Sequence, residues 1–101
     1  MKNFINVWIK DPGKAPRHAK IKNDLETLQA AVGGYIETVT VSDVVIIVNE
    51  EGKLNDSQYN FDLFHDMIFG PAVFTGQDGH ELDDCPIQTE EHLRMWLRAH
   101  R

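Results

Sequence analysis

Residues 35–48 read Tyr35-Ile36-Glu37-Thr38-Val39-Thr40-Val41-Ser42-Asp43-Val44-Val45-Ile46-Ile47-Val48, and this stretch decides the fold. Tyr35 to Val41 is rich in β-branched residues, Ser42-Asp43 is a pair of turn formers, and Val44 to Val48 is apolar throughout. Two β-prone runs separated by two turn residues predict an antiparallel hairpin that reverses at Ser42-Asp43. A strand with no alternation has no face to give to water. Val44 to Val48 is therefore expected in the middle of a sheet, covered on both sides.

Working outward, Phe4 to Ile9 alternates, with Ile5, Val7 and Ile9 on one side and Phe4, Asn6 and Trp8 on the other, which predicts a strand. Asp11-Pro12-Gly13-Lys14-Ala15-Pro16 ends it, because two prolines withhold donors and fix the backbone. Arg17 to Ile21 is expected as a short extended piece. Asn23 with Glu26 three residues on has the form of a capping box, which predicts a helix starting there. Leu25, Leu28 and Val32 share a face of that helix, and Gly33-Gly34 supplies a left-handed stop.

Beyond the hairpin, Asn49 to Lys53 is a polar turn and Leu54 to Asn60 an irregular connection. The spacing of Leu63, Phe64, Met67 and Ile68 predicts a short helix that ends at Gly70-Pro71. Ala72 to Thr75 is a strand, Gly76 to Gly79 a turn, and His80 to Leu82 its return. A last helix starts at Thr89, with Leu93, Trp96, Leu97 and His100 as its inner stripe and Glu90 facing Arg94. The expected architecture is one α+β domain over residues 1–101, in the order β-α-β-β-(α)-β-(β)-α, with helices packed mainly on one face of an antiparallel or mixed sheet.

The chain has 101 residues, 42% of them hydrophobic, enough for a thin core. Association of copies would add buried surface, so a homodimer or higher oligomer is expected. The longest apolar run, Val44 to Val48, is far short of a membrane span. The alternating N-terminus reads as a strand and not a signal peptide, and the single cysteine, Cys85, excludes an internal disulfide. These features fit a reducing cytoplasm. The net charge of −6 is segregated: residues 1–22 balance at +5, residues 23–93 at −14, and the last eight residues at +3. Clustered charge of one sign steers partners of the other. A body this acidic argues against direct binding of nucleic acid over its whole surface.

The segments Leu28-Gln29, Val32-Gly33-Gly34-Tyr35-Ile36-Glu37, Asn49-Glu50-Glu51-Gly52-Lys53-Leu54 and Asn60 together resemble the family catalogued as domain of unknown function 3846. Gly70, Gly76 and Asp78 fit its later turn positions, and the similarity runs from about Val7 into the last helix. The chain departs from the pattern at Asp56-Ser57-Gln58-Tyr59 and at Pro71. The resemblance implies this fold and an origin on a phage or mobile element. It implies no catalytic or binding residue.

The acidic pairs Glu50-Glu51 and Asp83-Asp84 are the first candidates for acid–base chemistry, yet neighbours on extended chain point apart and form no dyad alone. His65-Asp66, the run His80 to Cys85, and His92 offer metal-ligand types without the spacing of a zinc or calcium site, so no metal and no cofactor is expected. Cys85 with His92 would make a nucleophile and base, but the surrounding carboxylates disfavour a thiolate. An enzyme using His80, Asp83 or Cys85 ranks last. Gly33-Gly34 follows a helix where anion-binding glycines precede one.

The leading expectation is thus a non-enzymatic binding protein. Glu50, Glu51, Asp56, Tyr59, Asp83 and Asp84 would engage a host protein, one with a basic nucleic-acid channel, as a counter-defence inhibitor of the anti-CRISPR or anti-restriction kind. The alternative is an oligomeric module sequestering a signalling nucleotide through Arg17, Lys20, Lys22 and Tyr35.

Overall fold

The computed structural model describes residues 2–101. Its elements are β1 (Phe4–Lys10), β2 (Arg17–Lys22), α1 (Leu25–Val32), β3 (Ile36–Val41), β4 (Val44–Asn49), β5 (Tyr59–Leu63), β6 (Asp66–Phe69), β7 (Ala72–Asp78), β8 (Glu81–Asp83) and α2 (Glu90–Ala99). The main sheet is antiparallel in the order β2-β1-β7-β4-β3, with β8 pairing the end of β7. The α+β architecture with an antiparallel sheet is the expected one.

The β3–β4 hairpin forms in the predicted register, from Val41↔Val44 at the turn to Ile36↔Asn49 at the open end. All six residues of β4 are buried, and the strand lies between β3 and β7 as its unbroken apolar run requires. Alternation then divides the core in two. Ile5, Val7, Ile9, Val45, Ile47 and Val73 pack with Leu28 and Val32 of α1, while Trp8, Val44, Ile46, Val48 and Phe74 pack with Leu93 of α2. The helices therefore cover opposite faces of the sheet, a correction to the one-sided arrangement. Each of the central strands carries apolar side chains both ways, so both faces need a cover.

Three local readings are also corrected. The cap of α1 is Asp24, whose Oδ1 accepts from Thr27 N at 2.8 Å. Asn23 instead donates its amide to Lys2 O and Leu82 O, tying the segment before β1 to β8. Leu25 stays exposed at the helix start. The segment from Leu63 to Ile68 is a β-hairpin, not a helix: β5 and β6 pair around Phe64 and His65, whose φ values are 51° and 66°. Left-handed backbone costs a non-glycine residue about 1 kcal/mol. Offsetting it, Phe64 N donates to His100 O at 2.7 Å, and Phe61, Leu63 and Ile68 join the α2-side core. The C-terminus of α2 is thereby capped by the hairpin turn. Gly33 ends α1 at φ 81° as expected, its N–H donating to Gln29 O.

Candidate functional site

Two separated pieces of sequence meet where α1 runs into β3. Asn49, buried at the end of β4, donates its amide to Val32 O at 3.1 Å and accepts from Glu51 N at 2.7 Å. It closes the last turn of α1 and shapes the following loop with one side chain. A Cβ on Gly34 would lie 2.9 Å from Asn49 Nδ2, so a larger residue there would displace this amide from its present position. Glu50 N also donates to Tyr35 O, and Gly52 lies so close to β6 that a Cβ there would meet Phe69 O at 2.7 Å. The Gly33-Gly34 and Asn49 to Gly52 motifs are one structural knot.

This knot holds open a cleft of about 370 Å³ between the β3–β4 edge, the loop after β4, and β6. Its walls carry Glu37, Glu50 and Asp66, with Lys53, Leu54 and Met67. Lys53 is engaged by Asp66, and this contact holds the Asp66 carboxyl below its ordinary value. Glu37 and Glu50 form no ion pair among the described residues. Leu54 is 84% and Met67 52% exposed, so the rim is apolar as well as acidic. β3 is the last strand of its sheet, and among the described residues no further strand pairs with its outer edge.

The other acidic pair is differently employed. Asp84 Oδ1 accepts from Asn6 N at 2.8 Å, and Lys2 Nζ lies 2.7 Å from both Asp83 Oδ1 and Asp84 Oδ2. Asp83 Oδ1 also accepts from Asp84 N. Hydrogen bonds from Lys2, then from these backbone amides, keep both carboxyls below their ordinary values. Pairing places Asp83 opposite Gly76, and Gly76 opposite Val44. Glu50 is six residues past Val44, about 20 Å away at the strand rise. The structure does not bring Glu50-Glu51 and Asp83-Asp84 into one patch.

Asp56 sits in the exposed loop before β5 at φ 60°, and Tyr59 is half exposed on β5 with its hydroxyl donating to Asp62. Arg17, Lys20 and Lys22 lie on β2, whereas Tyr35 precedes β3. Those strands are opposite edges of the main sheet, four strand spacings or roughly 19 Å apart. Within one chain the tyrosine cannot stack on a base whose phosphate those basic side chains hold.

Cys85 is buried, and burial pushes its thiol up. His80 is in the exposed turn before β8 and His92 is exposed on α2. Among the described residues no three His, Cys, Asp or Glu side chains gather into a group that could hold a metal ion. No described helix is long and apolar enough to cross a membrane.

Sequence reading missed Glu37, Leu54, Asp66 and Met67 as cleft residues. Glu37 was read as an ordinary strand position, and the other side of the cleft needs the β5–β6 hairpin. The family model described as Domain of unknown function (DUF3846) matches residues 5–97. The chain belongs to this family. No curated protein and no solved structure matches it. In this DUF3846 chain the quoted glycine and asparagine motifs build the scaffold of the cleft, and the acidic and apolar side chains on the rim are what that scaffold presents.

Proposed function

We propose that this protein is a non-enzymatic binding module whose cleft between β3 and β6 receives a basic segment of a partner protein. The observation that carries the reading is the company of Glu37 and Glu50: two carboxylates without cation partners among the described residues share a cleft with the exposed side chains of Leu54 and Met67. Paired carboxylates have little left to offer a partner, whereas unpaired ones attract and orient a cation. Apolar side chains beside them supply the contact area that charge alone does not, and the aliphatic stem of a lysine or arginine fits both. The partner suited to this chemistry is a host protein with a basic nucleic-acid channel, where an acidic competitor displaces the true ligand. In a phage or mobile-element setting that would make the protein a counter-defence factor.

Affinity capture from a bacterial lysate tests this with two baits, the native chain and Glu37→Lys/Glu50→Lys. A stoichiometric protein that is retained by the first, lost with the second, and eluted by moderate salt is the expected result. A partner held equally by both baits rejects the cleft. If instead Arg17→Glu/Lys20→Glu/Lys22→Glu alone abolishes retention, the acidic surface is not the binding surface.

A further inference from the structure

We propose that the groove between α2 and β5, on the other side of the β5–β6 hairpin from the acidic cleft, binds a nucleoside phosphate. Two hollows, about 200 and 360 Å³, both touch Leu97 and Arg98 of α2; the first lies against β5, and the second is an open surface lined by Arg94, Leu97 and Arg98. Arg94, Arg98 and Arg101 recur at i, i+4 and i+7 and form one stripe along them. Tyr59 and Asp62 stand on the opposite wall.

The bland account of these arginines is that they complement the negative end of a helix dipole. It leaves two features unexplained. Several terminal carbonyls already have partners: His100 O accepts from Phe64 N, Trp96 O is met by the His100 ring and backbone, and Leu97 O accepts from His100 N. The positive charge also continues past the helix to Lys10, at the end of β1. Among the described residues Lys10 Nζ donates to the backbone carbonyls of Asp11 and Lys14; desolvation and then nearby Arg94 lower its pKa, and the Asp11 carboxylate offsets them only in part. A cation held in that way gains from an anion beside it.

Arg98 and Arg101 form no ion pair among the described residues, so their planar forks are available to phosphate oxygens. The Tyr59 ring is half exposed at the groove and provides a flat surface for a base. Asp62 sets the orientation. A carboxylate repels phosphate from the tyrosine end but accepts from a ring or exocyclic N–H, which selects a base that offers such a donor. The chemistry is that of a nucleoside phosphate, whether free or at the end of a single strand.

Isothermal titration of the full chain with ATP, inorganic pyrophosphate and a short single-stranded oligonucleotide tests the assignment. ATP should bind more tightly than pyrophosphate, and Tyr59→Ala should remove that difference while leaving pyrophosphate binding in place. Arg98→Glu/Arg101→Glu should weaken ATP by at least about tenfold. Glu37→Lys/Glu50→Lys should leave it unchanged, so the groove and the cleft succeed or fail separately. A melting curve for each variant shows that it is folded. Tighter binding of the oligonucleotide than of ATP makes a strand the source, and the reverse order makes it a free nucleotide. No binding of any probe at millimolar concentration, equal affinity for ATP and pyrophosphate, or full ATP affinity in the double arginine variant overturns the proposal.

Discussion

Glu50-Glu51 and Asp83-Asp84 are adjacent acidic pairs at opposite ends of one sheet, and the chain treats them differently. At the Asp83-Asp84 end both side chains are engaged: they hold Lys2, Asp84 accepts from the amide of Asn6 and Asp83 from the amide of Asp84, and so they fasten the β8 segment to β1. At the Glu50-Glu51 end only the backbone is engaged, through Asn49 and Tyr35, and the side chains are left in solvent. The same residue type is structure in one place and surface in the other. Whether a carboxylate is available to a partner depends on what has already claimed it, so a −14 segment overstates the acidity that the folded molecule displays.

The harshest way to break the Asp84 end is Gly76→Ala. A Cβ there would come within 2.1 Å of Asp84 O and 3.3 Å of Pro86 Cδ, and a backbone carbonyl cannot turn aside as a flexible side chain can. Displacing the segment should cost about 3 kcal/mol, which lowers Tm by roughly 10–20 °C in a domain of this size. Circular dichroism melting measures it. An unchanged Tm would mean that the Asp84 segment is not clamped over β7.

The corresponding blow at the other end is Asn49→Ala. It leaves Val32 O and Glu51 N without the partner that each now has, at a cost of about 2 kcal/mol. The chain should still fold, because Gly33 N and Gly34 N continue to close α1 on Gln29 O. Hydrogen exchange should rise locally at residues 50–54, where the loop loses its anchor. Exchange that rises equally in both ends of the sheet would contradict the separation of the two.

These particular residues also show what could be read in advance. The β3–β4 hairpin was legible because β-branched residues and a two-residue turn agree with each other and with burial. The β5–β6 hairpin was not, since Phe64 and His65 are poor sequence signals for left-handed backbone, and Leu63, Phe64, Met67 and Ile68 match a helical spacing. What decides that segment is tertiary: the pairing of Phe64 N with His100 O, thirty-six residues on in sequence numbering. Asp83-Asp84 likewise read as charge open to a partner because Lys2 and Asn6 are remote in sequence and become neighbours only in the folded sheet. The family motif pointed to the cleft through its glycines, but the rim residues lie partly on the misread hairpin.

A smaller effect sharpens the comparison through pH. Asp83 and Asp84 are held below the ordinary carboxylate value of 3.8, chiefly by Lys2. A group whose folded pKa is depressed contributes stability that is present above its unfolded value and lost as pH falls through the folded one. Tm should therefore owe nothing to these groups' titration between pH 7 and 5 and decline below about pH 4. Asp84→Asn keeps an acceptor for Asn6 N but gives up the charge, so its Tm should lie a few degrees lower at neutral pH and converge with the native value in acid. The difference stays modest because the Asp84 side chain is 39% exposed and solvent screens it. A constant gap at every pH would show that the substitution acts through packing and not through ionisation.

The smallest expected effect on stability is that of Glu50→Lys/Glu51→Lys. Neither side chain is buried or ion-paired among the described residues, and the backbone contacts that shape their loop belong to Asn49 and Tyr35. Reversing both charges should move Tm by less than about 3 °C, since exposed substitutions without partners seldom do more. The same variant should slow association with a basic partner and flatten its dependence on salt, because two new cations beside Lys53 offset the remaining Glu37 and Asp66 carboxylates and cancel the attractive field at the cleft. Asp83→Lys/Asp84→Lys should show the opposite pattern. It places two further cations beside Lys2 and strips Asn6 N of its acceptor, so stability falls, while the cleft about 20 Å away keeps its charge and its partner. Stopped-flow association and thermal melting of the two double variants decide the matter. If the Glu50-Glu51 variant melts early, or the Asp83-Asp84 variant is the one that loses the partner, the division of labour between the two ends is wrong.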